Sequence, residues 1–319
     1  MTAPLPSTER HAGTRATLAG TLGYAAIVVF AWGSNYPLMK RAIVDMAPLT
    51  FSATRLWGAA AVVALLIQLR GDGPLWPPRG ERATLGAVGL LQFASVLGLT
   101  GIALQFLPAG RAVTVVYSMP VWAALFTQLL GKGRLSRRHG VGIVLSLAGL
   151  MLFVDPAVVD WQAAGVPAGM ALVLAASILW GLGAAFYSGR RWQASMLCQT
   201  LWQLIAAAIP LSLAALAFES DRTVRPTPAL LAIVAWNWVV PTALALWAWG
   251  QLLNRVPSAV AGQLLALTPL VGILCSGWMF QESLPPTFAL CAALIAAGSC
   301  LVLLPSRGSA RVPDDGSGC

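Results

Sequence analysis

Amide, hydroxyl and indole side chains recur inside long apolar runs of this chain, and their types and spacing suit holding a small molecule, not breaking bonds in one. The stretch "FAWGSNYPLMKR" (30–41) closes an apolar run with Trp32, Ser34 and Asn35 side by side. At helical spacing, Gln92, Ser95 and Leu99 share a face, as do Arg111, Thr114, Tyr117 and Ser118, and Gln199, Trp202 and Gln203. Trp180, Asn237 (within "WNW", 236–238) and Gln263 add further polar or stacking groups. Such groups are costly in hydrocarbon and face a bundle interior or a wet cavity. Trp32, Ser34, Asn35, Gln92, Tyr117, Trp180, Gln199, Trp202, Asn237 and Gln263 are therefore the expected lining of a polar path, although each could instead bond a neighbouring helix and glue the bundle. Arg55, deep in an apolar run, must pair, face water or snorkel. It serves either to hold a ligand carboxylate or as a partner for helix-end carbonyls.

The residues that support covalent or metal chemistry are scattered. The eleven acidic residues lie away from the middle of every apolar run, and His11 and His139 lie at or beyond run ends. Five Cys, four within runs and one at position 319, give no disulfide framework and no paired zinc spacing. No cofactor is expected, and a membrane-embedded enzyme lacks its clustered groups. Proton relays in membranes use embedded carboxylates or His, so a coupling group belongs near an interface, with Glu282 the candidate.

The elements that position these residues must lie in lipid. The 319-residue chain is 58% hydrophobic and 10% charged, with mean hydropathy +0.75, which excludes an ordinary soluble domain. Ten apolar runs are long enough to cross a bilayer as helices, at 18–39, 49–69, 83–105, 108–130, 139–155, 166–188, 195–218, 229–253, 257–280 and 285–304. The net charge of +9 sits in short connections and not on one basic face, so no nucleic-acid partner is implied. Fourteen Lys and Arg fall in the segments that are inner when the N-terminus is cytoplasmic, against Lys40, Arg41, Arg222 and Arg225 outside, which places both termini in the cytoplasm. With only two Lys among twenty cations and abundant Ala, the composition suggests a GC-rich bacterium and its inner membrane.

Pro37 predicts a bend in the outer part of the first helix, and Pro120 and Pro269 fall near the middle of the fourth and ninth, as hinges or static kinks. The fifth and tenth runs carry small residues at every third or fourth position (Gly142, Ser146, Gly149; Ala289, Ala293, Ala297). Such stripes suit close helix packing or contact with a second copy in a homodimer.

The chain also repeats itself. An offset of 149 residues pairs Pro108 with Pro257, Pro120 with Pro269, Leu135 with Leu284 and Gly149 with Gly298, and an offset of 148 lays "AWG" (31–33) over "LWG" (179–181). Five helices per copy is an odd number, so the second copy runs opposite to the first. Inverted repeats are the layout of secondary transporters, with the substrate near the midplane between halves. The expected organisation is a tail at 1–17, a first repeat at 18–155, a second at 166–304 and a tail at 305–319, both tails being cytoplasmic. The fold class is an all-α polytopic membrane protein of ten transmembrane helices in two inverted five-helix repeats.

Over residues 20–305 the sequence resembles the EamA branch of the drug/metabolite transporter superfamily. The resemblance is carried by "WGSNYPLMKR", "APLTFSATR", "AGRAVTVVYSMPVWAALFTQLLGKGRLS" and "SAVAGQLLALTPLVGILCSGWMFQESLP". It implies export of small metabolites, often amino acids, through the lipid bilayer. Multidrug efflux is the alternative within that class, and a membrane receptor or membrane-embedded enzyme is the rival from another. The family's "GERL"-like acidic corner is kept by Glu282 but replaced by Gly133 in the first copy. The indole-rich inventory adds a tilt toward amino acids with hydrophobic side chains or comparable amphipathic metabolites.

Overall fold

A computed structural model describes residues 7–131, 137–157, 159–188, 190–253, 255–256, 261, 264–281 and 287–303. Gly133, Gln263, Glu282 and the C-terminal tail lie outside the described residues. Among the described residues every regular element is helical. We number them α1 (Ser7–Gly33), α2 (Asn35–Ala42), α3 (Pro48–Arg70), α4 (Arg79–Val88), α5 (Ser95–Ala103), α6 (Ala109–Val116), α7 (Met119–Leu129), α8 (Arg137–Val154), α9 (Val166–Tyr187), α10 (Met196–Phe218), α11 (Pro228–Trp238), α12 (Ala245–Leu253), α13 (Thr268–Phe280) and α14 (Phe288–Leu303). Among the described residues, six stretches are long and apolar enough to cross a membrane, with shorter apolar helices at Gly140–Val154, Leu265–Phe280 and Phe288–Gly298. Helices are the natural outcome, since only an element that satisfies its own backbone survives in hydrocarbon. Pro48 and Pro228 open α3 and α11, where an amide is not needed. Leu69, Leu216, Phe218 and Trp278 remain exposed on the outside, as residues facing acyl chains would.

The two repeats are interrupted at matching places. Six-residue π-helical segments, Gly89–Ala94 and Val239–Leu244, join α4 to α5 and α11 to α12. In the second, Pro241 has no amide to offer the Asn237 carbonyl one turn back, and the Thr242 hydroxyl donates to it instead at 2.9 Å. Between α6 and α7 the helix breaks at Tyr117 and Ser118, and a 3₁₀ turn, Leu265–Leu267, precedes α13. Pro120 and Pro269 thus each stand in the first turn of a new half-helix, where the missing amide costs little. The first helix likewise breaks at Ser34, because Pro37 cannot donate to the Gly33 carbonyl.

The repeats interlock through repeat-equivalent glycines. A Cβ on Gly33 would lie 2.7 Å from the Thr268 carbonyl oxygen and from Val271, and one on Gly181 would lie 2.5 Å from the Trp122 Cβ and 2.7 Å from the Ala123 nitrogen. Each repeat's first helix therefore presses on the other repeat's fourth helix, α1 on α13 and α9 on α7. The second helices of the two repeats, α3 and α10, pair through Leu56, Val63, Leu204 and Leu211. The last helices, α8 and α14, pair through the Gly142, Ser146, Gly149 stripe of α8 and the Cys291, Ile295, Gly298 face of α14: Gly149 abuts the Cys291 carbonyl and Gly298 abuts the Gly142 carbonyl and Ser146. The α8 stripe is thus filled within the chain, whereas Ala289, Ala293 and Ala297 of α14 lie exposed on the face turned away from it.

Candidate functional site

The helices enclose a cavity of about 630 Å³ between the repeats, within the size range of small-molecule pockets. Exposed Gln128 and Arg190 mark one end, and buried Tyr36, Arg55, Thr100 and Tyr117 mark the other. Beyond the closed end, Lys40 Nζ donates to the Leu107 carbonyl (3.1 Å) and lies over the Phe280 ring (5.4 Å). There too Asp45 accepts from Arg41 (2.9 Å) and from Thr227 (2.9 Å), tying the two repeats together. The Thr227 hydroxyl, with Arg41 beside it, holds the Asp45 carboxyl below its ordinary range, against the opposing effect of partial desolvation.

Seven residues singled out from the sequence line this cavity: Trp32, Asn35, Arg55, Gln92, Tyr117, Trp180 and Gln199. Trp32 donates its indole N–H to the Pro241 carbonyl at 2.8 Å, inside the second π segment, and its ring is 6.0 Å from that of Trp249. Tyr117 meets Tyr36 edge-to-face at 6.1 Å. Gln199 is committed to protein: its Nε2 donates to the Ala194 carbonyl (2.7 Å) and its Oε1 accepts from the Tyr187 hydroxyl (2.6 Å). Arg55 and Asn35 both donate to the Met39 sulfur, at 3.4 and 3.3 Å.

Three others stand apart from it, each for a local reason. Ser34 turns back to donate to the Phe30 carbonyl of its own helix (2.8 Å). Asn237 is fully buried and donates to the Ile233 carbonyl (2.9 Å), with the flanking Trp238 bonded to the Thr54 carbonyl (3.1 Å). Trp202 donates to the Leu75 carbonyl (2.7 Å) and packs on Trp76 at 4.7 Å, so it anchors the connection before α4.

The expected polar faces of two helices also differ. On the third run the wider π turn rotates the residues beyond it about the helix axis, so the wall carries Gln92, Phe93, Val96, Leu97 and Thr100 in place of Gln92, Ser95 and Leu99. On the fourth, Thr114 bonds the Gly110 carbonyl (2.7 Å) and Ser118 bonds Ser177 (2.8 Å), leaving Tyr117 as the polar contributor from that face.

Residues that sequence reasoning did not select as lining include Tyr36, Met39, Thr100, Gln203 and Thr242, all in the cavity wall. For Gln203 a signal existed: it lies 148 residues after Arg55, the same offset that relates Trp32 to Trp180. Among the described residues no group of three or more His, Cys, Asp or Glu is assembled that could hold a metal ion. The wall offers hydrogen bonds, a guanidinium at its closed end and several aromatic faces, a set suited to reversible binding.

The EamA-like transporter family model matches residues 20–155 and 167–304. An uncharacterized transporter of Bacillus subtilis, YoaV, is 22% identical over 85% of this chain and 92% of its own length. An uncharacterized inner membrane transporter of Escherichia coli, YedA, is 25% identical over 79% of this chain and 80% of its own. A probable amino-acid metabolite efflux pump of Escherichia coli is 26% identical over 86% of this chain and 91% of its own length. A solved structure described only as that of a protein shares the fold with a TM-score of 0.69, over 89% of this chain and 96% of that one, at 21% identity. With two family matches covering both repeats, paired interruptions at equivalent places and a cavity between them, this chain belongs to the EamA-like transporter family and is a multi-pass membrane protein.

Proposed function

We propose that the protein is a secondary transporter that exports small metabolites, amino acids or related amphipathic compounds, by alternating access across a bacterial inner membrane. The observation that carries this reading is the cavity between the repeats, closed at the Tyr36–Tyr117 end and reaching exposed Gln128 and Arg190 at the other. Trp32, Trp180 and Trp249 give it faces for an apolar side chain. The resemblance to efflux pumps named for amino-acid metabolites supports the same cargo.

With both termini in the cytoplasm, as the positive-inside bias favours, the cavity opens inward and waits for cytoplasmic cargo. Opening outward requires α2, α6 and the Phe280 end of α13 to separate while α7 and α9 close, and the half-helix junctions at Pro120 and Pro269 are the places where that bending is absorbed. No Asp, Glu or His is among the described residues of the cavity wall, so flux is downhill or coupled through a group near an interface, with Glu282 the candidate.

A screen of overexpressing cells for resistance to toxic amino-acid analogues, followed by efflux of the hits from proteoliposomes, tests the reading. Saturable efflux of at least one such compound is expected, persisting at equal pH on both sides. Binding with no flux in vesicles would identify a receptor, and resistance confined to structurally unrelated drugs would favour multidrug efflux.

A further inference from the structure

The cavity's closed end holds a set of polar groups that the protein itself does not satisfy. Arg55 is 7% exposed, yet among the described residues it meets no carboxylate; its one hydrogen bond runs from Nη1 to the Met39 sulfur at 3.4 Å. Asn35, 4% exposed, sends its amide to the same sulfur at 3.3 Å, and its Oδ1 is buried with no partner. Thr100, 1% exposed and in the same wall, has a hydroxyl with no partner.

A thioether is a weak acceptor. Two strong donors, one of them a guanidinium, converging on it is a poor way to bury a charge, because buried charges are stably held only when paired and hydrogen-bonded. A carboxylate would meet the guanidinium fork in a bidentate manner and take the Asn35 amide as well. Once the donors turn to that carboxylate, Asn35 Oδ1 remains as an acceptor beside it, which is what an ammonium requires. The two demands are opposite in sign and come from adjacent elements, α2 and α3.

We propose that Arg55 and Asn35 form a head-group subsite for the zwitterion of an α-amino acid, whose carboxylate displaces the Met39 sulfur as their shared acceptor. The ligand's side chain then extends along the cavity toward Trp32 and Trp180. This rests on the transport reading above and names the chemistry that the cavity recognises.

The test uses the purified full-length protein in detergent, with ligand-induced thermal stabilisation as the readout. The probes are L-phenylalanine, L-leucine and L-threonine, each beside its decarboxylated amine and its deaminated acid. At least one amino acid should bind about 10-fold or more tightly than both of its truncated analogues, since a site built on hydrogen bonds rejects ligands that leave its groups unpaired. Arg55→Gln should abolish preference over the amine and Asn35→Leu preference over the acid. Met39→Leu should tighten amino-acid binding about threefold, by removing the competing acceptor. Failure of every amino acid to outbind its amine in the wild type overturns the subsite without need of any variant, as does an Arg55→Gln protein that keeps full preference. Proteoliposome flux separates the two readings. Amino-acid export unaffected by Arg55→Gln sinks the subsite and leaves the transporter, whereas selective amino-acid binding with no flux sinks the transporter and leaves the subsite.

Discussion

The indole of Trp238 lies across Gly58: a Cβ on that glycine would stand 2.0 Å from the indole nitrogen, which itself donates to the Thr54 carbonyl at 3.1 Å. This contact clamps α11, just before its π segment, onto α3, which carries Arg55. The glycine is present because backbone must approach ring, not because the helix needs to bend.

Gly58→Ala should therefore lower thermal stability in detergent, by about 1 to 3 kcal/mol as overpacked cores lose. Gly86→Ala is the control, since nothing lies within 4 Å of a Cβ there, and it should be neutral or slightly stabilising. Equal melting temperatures for the two variants would refute the clamp.

Glu81 is 5% exposed and accepts the backbone amides of Gln193 (2.6 Å) and Ala194 (3.2 Å), so a residue of α4 caps the approach to α10. Glu219 does the reciprocal service for α3, accepting from the Leu49 and Thr50 amides and the Thr50 hydroxyl at 2.8 to 2.9 Å. Removing either carboxylate leaves backbone donors at or just before a helix N-terminus without their acceptor. Glu81→Ala should cost about 1 to 3 kcal/mol, with two charge-assisted bonds lost from a buried carboxylate to donors that water can reach. Unfolding in denaturant compared with wild type measures it.

Asp45 links the repeats at the closed end through Arg41 and Thr227, and its carboxyl is held below its ordinary value in the folded protein. A depressed native pKa means that its stabilising contribution is complete above the unfolded value of about 4 and is lost as pH falls through the native one. Asp45→Asn should lower stability at neutral pH and flatten this part of the acid dependence. Melting curves of both proteins between neutral and strongly acid pH should converge at the acid end. Curves that stay parallel would remove Asp45 from the linkage.

Pro241 is the residue that keeps the second π segment from closing into a regular helix, with Thr242 serving the carbonyl that Pro241 cannot. Pro241→Ala restores an amide and allows the α-helical bond to Asn237. The downstream wall then rotates, withdrawing Thr242 and disturbing the Trp32 contact to residue 241. Proteoliposome efflux should fall about 10-fold, the scale that a misplaced binding wall produces, while the protein stays folded. Unchanged efflux would show that the segment's shape is incidental.

Much of this molecule is determined by its order of residues. Apolar runs must become helices, because hydrocarbon offers the backbone no other partner. The repeat registers that pair Trp32 with Trp180 and Pro120 with Pro269 are visible in the letters, and the breaks at Ser34, Tyr117 and the turn before Thr268 follow from prolines that cannot donate. The aims of individual polar side chains were not legible. Asn35 and Asn237 look alike in sequence, each polar beside an indole or a tyrosine in an apolar run, yet one opens onto the cavity and the other is sealed against its own helix. Ser34 and Thr114 likewise spend their hydroxyls on the turn before them. Facing is decided by helix rotation, which π segments shift within a run, and by whether a local carbonyl or a distant cavity offers the better partner. Both depend on which helices meet across the repeats, where Gly33, Gly58 and Gly181 set the distances of approach.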